Sequence, residues 1–133
     1  MLERINAIVL AVKDVKRCAH FYSEKLGFHL DQLEDEEAYL TIGSGGGTVL
    51  ALKSVGMVAR EISEERIKPR AKALNRTTCV IFVADVDAEY DSLRKKGVRF
   101  IDAPTTSPFG WRTTHFEDPE ENLWELSQKP KKQ

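Results

Sequence analysis

The sequence predicts an α+β protein made of two β-α-β-β-β modules that follow one another in one domain. Three observations lead to this prediction. The frame Val-x-Asp-Val occurs at residues 12–15 and again at residues 83–86, so the chain contains an internal repeat. In both copies an apolar strand pattern precedes the frame, and a helical pattern that ends at glycine follows it. After each helix the patterns indicate strands only, and the last two strands flank an Asp-Pro turn.

Module one, about residues 1–54, begins with a buried strand over residues 5–12. Asp14 is placed to cap a helix over residues 15–26, and Gly27 is placed to end it. Further strands are predicted over residues 28–33, 39–42 and 48–52. The glycine-rich stretch 43–47 joins two of these strands and lacks the Lys-Ser/Thr ending of a phosphate loop, which favours a hairpin tip.

Residues 55–76 are polar and basic, contain a proline and show the least regular pattern of the chain. We interpret this segment as a connector between the modules that can act as a flap. Within it, Ser63 is followed by two glutamates and an arginine, which is typical of the start of a short helix.

Module two, about residues 77–128, repeats the arrangement. A strand is predicted over residues 78–83, and Asp85 or Asp87 caps a helix over residues 87–96 that ends at Gly97. Near the end of the chain, Asp118 and Pro119 open a tight turn, and Asn122 is expected to adopt the left-handed conformation. In the strand that follows, Leu123 and Glu125 share one face, and Trp124 and Leu126 share the other.

The bulk composition excludes several classes of protein. The chain has 133 residues and a net charge of −1, which disfavours nucleic acid as a partner. No apolar run is long enough to cross a membrane, and no secretory leader is recognised, so we expect a cytoplasmic protein with no membrane partner. Cys18 and Cys79 fall in apolar patterns without metal-ligand spacing and are expected to be inert thiols.

With these motifs in order, the chain resembles the vicinal oxygen chelate superfamily, which includes glyoxalase I, bleomycin-resistance proteins, fosfomycin-resistance enzymes and extradiol dioxygenases. The likeness covers most of the chain outside the connector. The resemblance implies two β-α-β-β-β modules whose curved mixed sheets enclose a cleft. The stretches that carry it are Asp14, Phe21-Tyr22, Leu26-Gly27-Phe28, Val83-x-Asp85-Val86-Asp87 and Asp118-Pro119-x-x-Asn122-x-x-Glu125-Leu126.

Enzymes of this superfamily usually hold a divalent metal with four His, Glu or Gln ligands, two from each module. The resemblance implies that the corresponding positions here are Ala7, Ala51, Thr78 and Glu125. Alanine has no donor atom and a threonine hydroxyl is a weak ligand, whereas catalytic metal sites need about three protein ligands. We therefore predict no metal site and no cofactor.

Strand alternation predicts an apolar pocket with one hydroxyl and one carboxylate, suited to a small organic ligand that presents a cationic or hydrogen-donating group to Glu125. Of the histidines, His20 and His29 are expected at the surface. His115, on the strand that enters the Asp-Pro turn, can reach the pocket. Arg112 is expected to hold an anion, to pair with Glu125 or to brace the turn. Candidate ligand-binding residues are Ala7, Val9, Thr78, Val80, Phe82, Phe109, Trp111, Arg112, His115, Leu123 and Glu125, and the pocket pattern also includes Ala11 and Ala84.

Three functions remain open at this point. The first is a metal-free binding protein like the bleomycin-resistance members. The second is a metal-dependent lyase, isomerase, transferase or dioxygenase like glyoxalase I and its relatives. The third is a metal-free enzyme in which Glu125 acts as a base after burial raises its pKa. A homodimer is expected in each case, because open sheets leave strand edges and apolar faces that one chain covers poorly.

Overall fold

The computed structural model describes residues 1–43, 47–68 and 77–131. The chain forms two compact units, Met1–Ala73 and Leu74–Gln133, and each unit has a mixed sheet and helices, so the fold class is α+β. The centre of the predicted glycine-rich hairpin tip, residues 44–46, and the second part of the predicted connector, residues 69–76, lie outside the described residues. No helix among the described residues is long and apolar enough to cross a membrane.

The first unit has a four-stranded sheet with the order β1-β4-β3-β2. β1 is parallel to β4, and the other neighbours are antiparallel, so the sheet is mixed. This is the predicted β-α-β-β-β order, with two further helices after the last strand. The elements are β1 Ala7–Val12, α1 Val15–His20, β2 His29–Leu33, β3 Glu37–Thr41, β4 Val49–Ser54, α2 Val55–Glu61 and α3 Glu64–Ile67.

One face of this sheet carries the core of the first unit. Alternation along the strands places Val12, Leu40 and Leu52 on that face, and all three are fully buried. α1 contacts β3 and β4, so the buried residues of α1, among them Cys18, complete the core. Asp14 is the N-cap of α1, as predicted, and its carboxylate accepts a hydrogen bond from the Arg17 backbone N–H at 3.0 Å.

The predicted single helix over residues 15–26 is wrong in its second half. After α1 the chain widens into a π-helical turn over Phe21–Lys25, in which the Leu26 N–H donates to the Phe21 carbonyl. This turn lets the two neighbouring rings of Phe21 and Tyr22 both be buried, and Tyr22 also packs on the Phe28 ring with centroids 5.5 Å apart. Gly27 then adopts φ +77°, as its predicted role at the helix end requires.

The prediction of an irregular segment after residue 54 is also wrong for its first part. Ser54 caps α2 by accepting a hydrogen bond from the Met57 N–H, and Ser63 caps α3 by accepting one from the Arg66 N–H. Only the α3 start was predicted. α2 was missed because Val55-Gly56 is a poor helix-forming pair, and the buried side of α2 is set by its contacts with β4 and β1.

The second unit has a mixed sheet with the order β5-β9-β8-β6, and a short strand, β7, also pairs with β8. β5 is parallel to β9, and the other pairs are antiparallel. β7 is an addition to the predicted β-α-β-β-β order. The elements are β5 Thr78–Phe82, α4 Val86–Lys95, β6 Arg99–Phe100, β7 Thr105–Thr106, β8 Arg112–Glu117 and β9 Leu123–Gln128.

The core of the second unit lies between its sheet and α4, which contacts β8 and β9. Phe116 and Trp124 are opposite each other on β8 and β9, and their rings stack with centroids 6.2 Å apart. Val86 and Leu93 of α4 are buried against this face. Of the two candidate caps, Asp85 is the N-cap of α4 and accepts a hydrogen bond from the Ala88 N–H.

Asp118 organises the turn between β8 and β9. Its side chain is only 1% exposed, and it accepts hydrogen bonds from the Glu120 N–H, the Asn122 N–H and the Asn122 side-chain amide at 2.7–2.9 Å. The left-handed residue is Glu121, with φ 68°, and not Asn122 as predicted. The reason is that the Asn122 side chain is held by Asp118, so the chain reverses one residue earlier.

Candidate functional site

The candidate site lies on the face of the second sheet that is opposite the face covered by α4. Residues that are paired across neighbouring strands project from the same face of a sheet. The register pairs Val80 with Glu125, and Glu125 with His115, so these three side chains form one row across β5, β9 and β8. The pairs Thr78–Leu123 and Phe82–Ser127 form the neighbouring rows. The second unit therefore brings together six of the predicted site residues, from β5, β8 and β9.

The centre of this face is a chain of hydrogen bonds through His115. Its Nδ1 lies 2.8 Å from Oδ2 of Asp102, and its Nε2 lies 2.9 Å from Oε1 of Glu125. The other Asp102 oxygen accepts a hydrogen bond from the His115 backbone N–H, and Thr114 donates its hydroxyl to the Asp102 carbonyl. The three side chains remain partly exposed, at 42% for Asp102, 33% for His115 and 25% for Glu125. The imidazole of His115 is therefore held between two carboxylates and is still accessible to solvent.

The two carboxylates that are hydrogen-bonded to His115 favour the charged form of its imidazole. Burial opposes the charge on His115, but the hydrogen bonds to Asp102 and Glu125 outweigh burial, and the pKa of His115 is raised. Burial also opposes the charge on Asp102 and would raise the pKa of its carboxyl group. The hydrogen bonds from His115 outweigh burial and hold that pKa below its usual value. A neutral imidazole has one N–H and cannot donate to two carboxylates, so the geometry and the direction of the pKa shift agree.

Apolar and aromatic side chains lie beside the hydrogen-bonded residues Asp102, His115 and Glu125. Val80 is 50% exposed and Phe82 is 60% exposed on β5, so both present apolar surface on the same face. The ring of Trp111 contacts the ring of Phe82, with centroids 5.4 Å apart. Phe109 is 87% exposed in the loop before β8. Trp111 is therefore positioned to extend the aromatic surface, whereas Phe109 projects into solvent.

Of the three roles expected for Arg112, the structure does not show the pairing with Glu125. Along β8, Arg112 alternates with His115 and projects from the opposite face of the sheet. There its guanidinium makes a bidentate ion pair with Asp87, through Nε and Nη2, and donates to Thr106. Arg112 lines a hollow of about 680 Å³ together with Lys129 and Lys131. These contacts connect β8 to α4 and β7.

The remaining predicted residues belong to the first unit. Ala7 is exposed on β1, and Val9 is 47% exposed. Val9 pairs with Ala51 on β4, and the Ala51 side chain is only 1% exposed. The same face carries Lys53, which pairs with Glu61 of α2 at 2.9 Å. Charged side chains therefore accompany the predicted apolar residues on each of these sheet faces.

The donor set does not fit the divalent metal that the resemblance implies. Two of the four corresponding positions are alanines, and the third is Thr78, whose side chain is exposed on β5. His115 and Glu125 are the donors that approach each other on the second sheet, and they are already hydrogen-bonded. In the described ranges of the chain, no group of three or more His, Cys, Asp or Glu side chains is arranged to hold a metal ion.

The remaining histidines and the two cysteines are not part of this hydrogen-bond chain. His20 and His29 are exposed, as expected, and contact Glu24 and Asp31 respectively. Cys18 is buried, and burial raises the pKa of the half-buried Cys79 thiol, which keeps it protonated and unreactive.

Sequence reasoning missed Asp102. It follows the two-residue strand β6, and only the pairing of β6 with β8 brings it to His115. An aspartate shortly before a proline indicates a turn and carries no sign of a partner thirteen residues away. By contrast, Glu125 was selected from the Asp-Pro motif and strand alternation, and His115 from its place on the strand that enters the turn.

Sequence and structure together place the chain in a class of α+β proteins built from two βαβββ units. The chain belongs to the Glyoxalase/Bleomycin resistance protein/Dioxygenase superfamily, whose family model matches residues 4–126. It is 33% identical over 124 residues to the uncharacterized protein YraH of Bacillus subtilis (strain 168), with 92% of this chain and 96% of YraH covered.

Solved structures of the same superfamily share the fold. A glyoxalase/bleomycin resistance protein/dioxygenase from Nocardioides matches with a TM-score of 0.81 at 22% identity, covering 100% of this chain and 87% of that chain. A glyoxalase-related enzyme from Fulvimarina pelagi matches with a TM-score of 0.76 at 19% identity, covering 96% and 89%. At these identities the likeness extends to the fold alone.

Proposed function

We propose that this protein binds a small organic molecule without a metal ion, as the bleomycin-resistance members of the superfamily do. The observation that carries the proposal is the donor set. Ala7, Ala51 and Thr78 stand at three of the four positions where the resemblance implies metal ligands, and Glu125 is bound to His115. Loss of even one outer-shell partner of a metal ligand typically costs about one to two orders of magnitude in metal affinity, so the loss of ligands themselves costs at least as much.

The chemistry of the second sheet defines the ligand further. Among the described residues Glu125 makes one side-chain hydrogen bond, through Oε1, so Oε2 is available to accept one from a ligand. Val80, Phe82 and Trp111 supply apolar and aromatic surface beside it. A planar, mostly apolar molecule that carries an N–H or O–H donor satisfies both features.

Elemental analysis and a thermal-shift screen test the proposal. Protein prepared without a chelator or a metal-affinity tag is expected to contain well under one Zn, Ni, Fe, Mn or Mg per chain. Benzamidine, a planar cation with N–H donors, is expected to raise the melting temperature more than benzoate, its anionic counterpart. This difference is expected to disappear in Glu125→Gln.

The control variant is Glu117→Gln, which removes a half-buried carboxylate from the same sheet face. It is expected to leave the benzamidine response unchanged. About one metal per chain, lost in Glu125→Gln but retained in Glu117→Gln, would contradict the proposal.

A metal-dependent lyase, isomerase or dioxygenase is the second candidate, and one observation favours it. His115 and Glu125 converge on the same face, and Asp102 holds the second nitrogen of the imidazole, as a carboxylate commonly does for a metal-binding histidine. These are two donors, whereas catalytic metal sites use about three. The metal analysis above separates the two candidates.

A further inference from the structure

The hollow beside the start of α4 lies on the opposite side of the second sheet from Glu125. Arg112 and Gln128 are paired across β8 and β9, project from the face that α4 covers, and both line this hollow. Asp87 of α4 lines it as well. Its volume of about 680 Å³ is within the range that small-molecule sites occupy. The hollow is therefore large enough for a ligand and is separate from the row of side chains around Glu125.

The carboxylates that line this hollow are already engaged within the protein. Both oxygens of Asp87 accept hydrogen bonds from the Arg112 guanidinium, at 2.6 and 2.8 Å, so these two charges balance each other. Asp85 caps α4, and one of its oxygens accepts the hydrogen bond from the Ala88 N–H at 3.1 Å. The second oxygen of Asp85 is the carboxylate atom that remains for a ligand.

Several hydrogen-bond donors on the same lining are unused. The side-chain carbonyl of Gln128 accepts a hydrogen bond from the first backbone N–H of α4 at 2.9 Å. This bond fixes the carboxamide and leaves both hydrogens of Nε2 without a partner among the described residues. Thr106 accepts a hydrogen bond from Arg112, so its own hydroxyl hydrogen can be donated. Lys129 and Lys131 add two ammonium groups, neither of which forms an ion pair within the described part of the chain.

We propose that this hollow binds a phosphate group, either as inorganic phosphate or as part of a small phosphate ester. Phosphate oxygens accept several charge-assisted hydrogen bonds at once, which matches the donors of Gln128, Thr106 and the two lysines. Side chains hold the group, because the first N–H groups of α4 are bonded to Gln128 and Asp85. This site is independent of the small-molecule function proposed above, since the two use opposite faces of the second sheet.

Calorimetric titration of the full chain with inorganic phosphate and with phenyl phosphate tests the proposal, at low ionic strength so that charges are not screened. Gln128→Glu can still accept the hydrogen bond from α4, but it replaces two donors with a negative charge. It is expected to weaken binding of both probes about 100-fold. Lys129→Gln and Lys131→Gln are each expected to weaken binding about 10-fold. Asp85→Asn keeps a good helix cap and removes the remaining carboxylate, so it is expected to strengthen binding about 3-fold.

The control is Lys96→Gln, which makes the same change of charge at the other end of α4 and is expected to leave the affinity unchanged. Thermal unfolding identifies any variant that fails to fold, and the stronger binding expected of Asp85→Asn cannot result from misfolding. Tighter binding of phenyl phosphate than of phosphate supports an ester as the ligand, and equal binding supports the free anion. Equal weakening by Lys96→Gln and Lys131→Gln, or no binding of either probe up to about 10 mM, overturns the proposal.

Discussion

Asp118 shows how one residue can determine the geometry of a candidate site. Its carboxylate is almost fully buried and accepts three hydrogen bonds from the turn between β8 and β9. Those bonds set where β9 begins, and therefore place Glu125 opposite His115. A carboxylate is suited to this position because buried N–H groups that lose their acceptor are costly.

Asp118→Ala is expected to lower the free energy of unfolding by about 3 kcal/mol, because three hydrogen bonds to a buried carboxylate are lost and their donors remain. Chemical denaturation measures the change. The control is Asp91→Ala on the exposed side of α4, which is expected to stay within about 0.5 kcal/mol of the intact protein. An equal effect of the two substitutions would contradict this account of the turn.

At the scale of elements, both units start their first helix with the same device. Asp14 and Asp85 each follow the first strand of their unit, have extended backbone and accept a hydrogen bond from the N–H three residues later, at 3.0 and 3.1 Å. The first helix then widens into its π-helical turn, whereas α4 runs without interruption to Lys95. The shared aspartate cap accounts for the similar start of the two helices. The packing of the Phe21 and Tyr22 rings accounts for the π-helical turn that only the first helix has.

Replacing either cap with alanine, in Asp14→Ala or Asp85→Ala, is expected to cost roughly 1 kcal/mol. Replacement with serine, which can also accept the hydrogen bond, is expected to lower the free energy of unfolding by only about 0.3 kcal/mol. Thermal and chemical unfolding of the four variants measure these differences. If serine and alanine cost the same at either position, the capping hydrogen bond does not explain the helix start.

At the scale of the whole molecule, exposed apolar surface is the feature that calls for an explanation. Val80, Phe82 and Ile101 of the second unit are each at least half exposed, and Phe109 is almost fully exposed. β1 and β5 are also terminal strands in their sheets. Exposed apolar faces and strand edges are commonly covered by a partner.

A homodimer therefore remains our expectation. Sedimentation at a concentration on the order of tens of micromolar is expected to show a species of about twice the mass of one chain, dissociating on dilution. A species with the mass of a single chain across the whole concentration range would contradict this prediction.

The sequence by itself determined the features that depend on neighbours along the chain. The two strand–helix patterns, the aspartate caps and the alternation of Leu123, Trp124 and Glu125 were all predicted, because periodicity and capping are local properties. Membership of the superfamily followed from the same motifs and is confirmed. Glu125 was selected from the Asp-Pro motif and this alternation, and His115 from its place on the strand that enters the turn.

Only the tertiary structure decided which side chains meet. Asp102 reaches His115 through the pairing of β6 with β8, and Arg112 reaches Asp87 because it projects towards α4. α2 and the π-helical turn likewise depend on what they pack against. The physical reason is the same in each case: register and packing bring together residues distant along the chain, and local preferences are too weak to specify those partners.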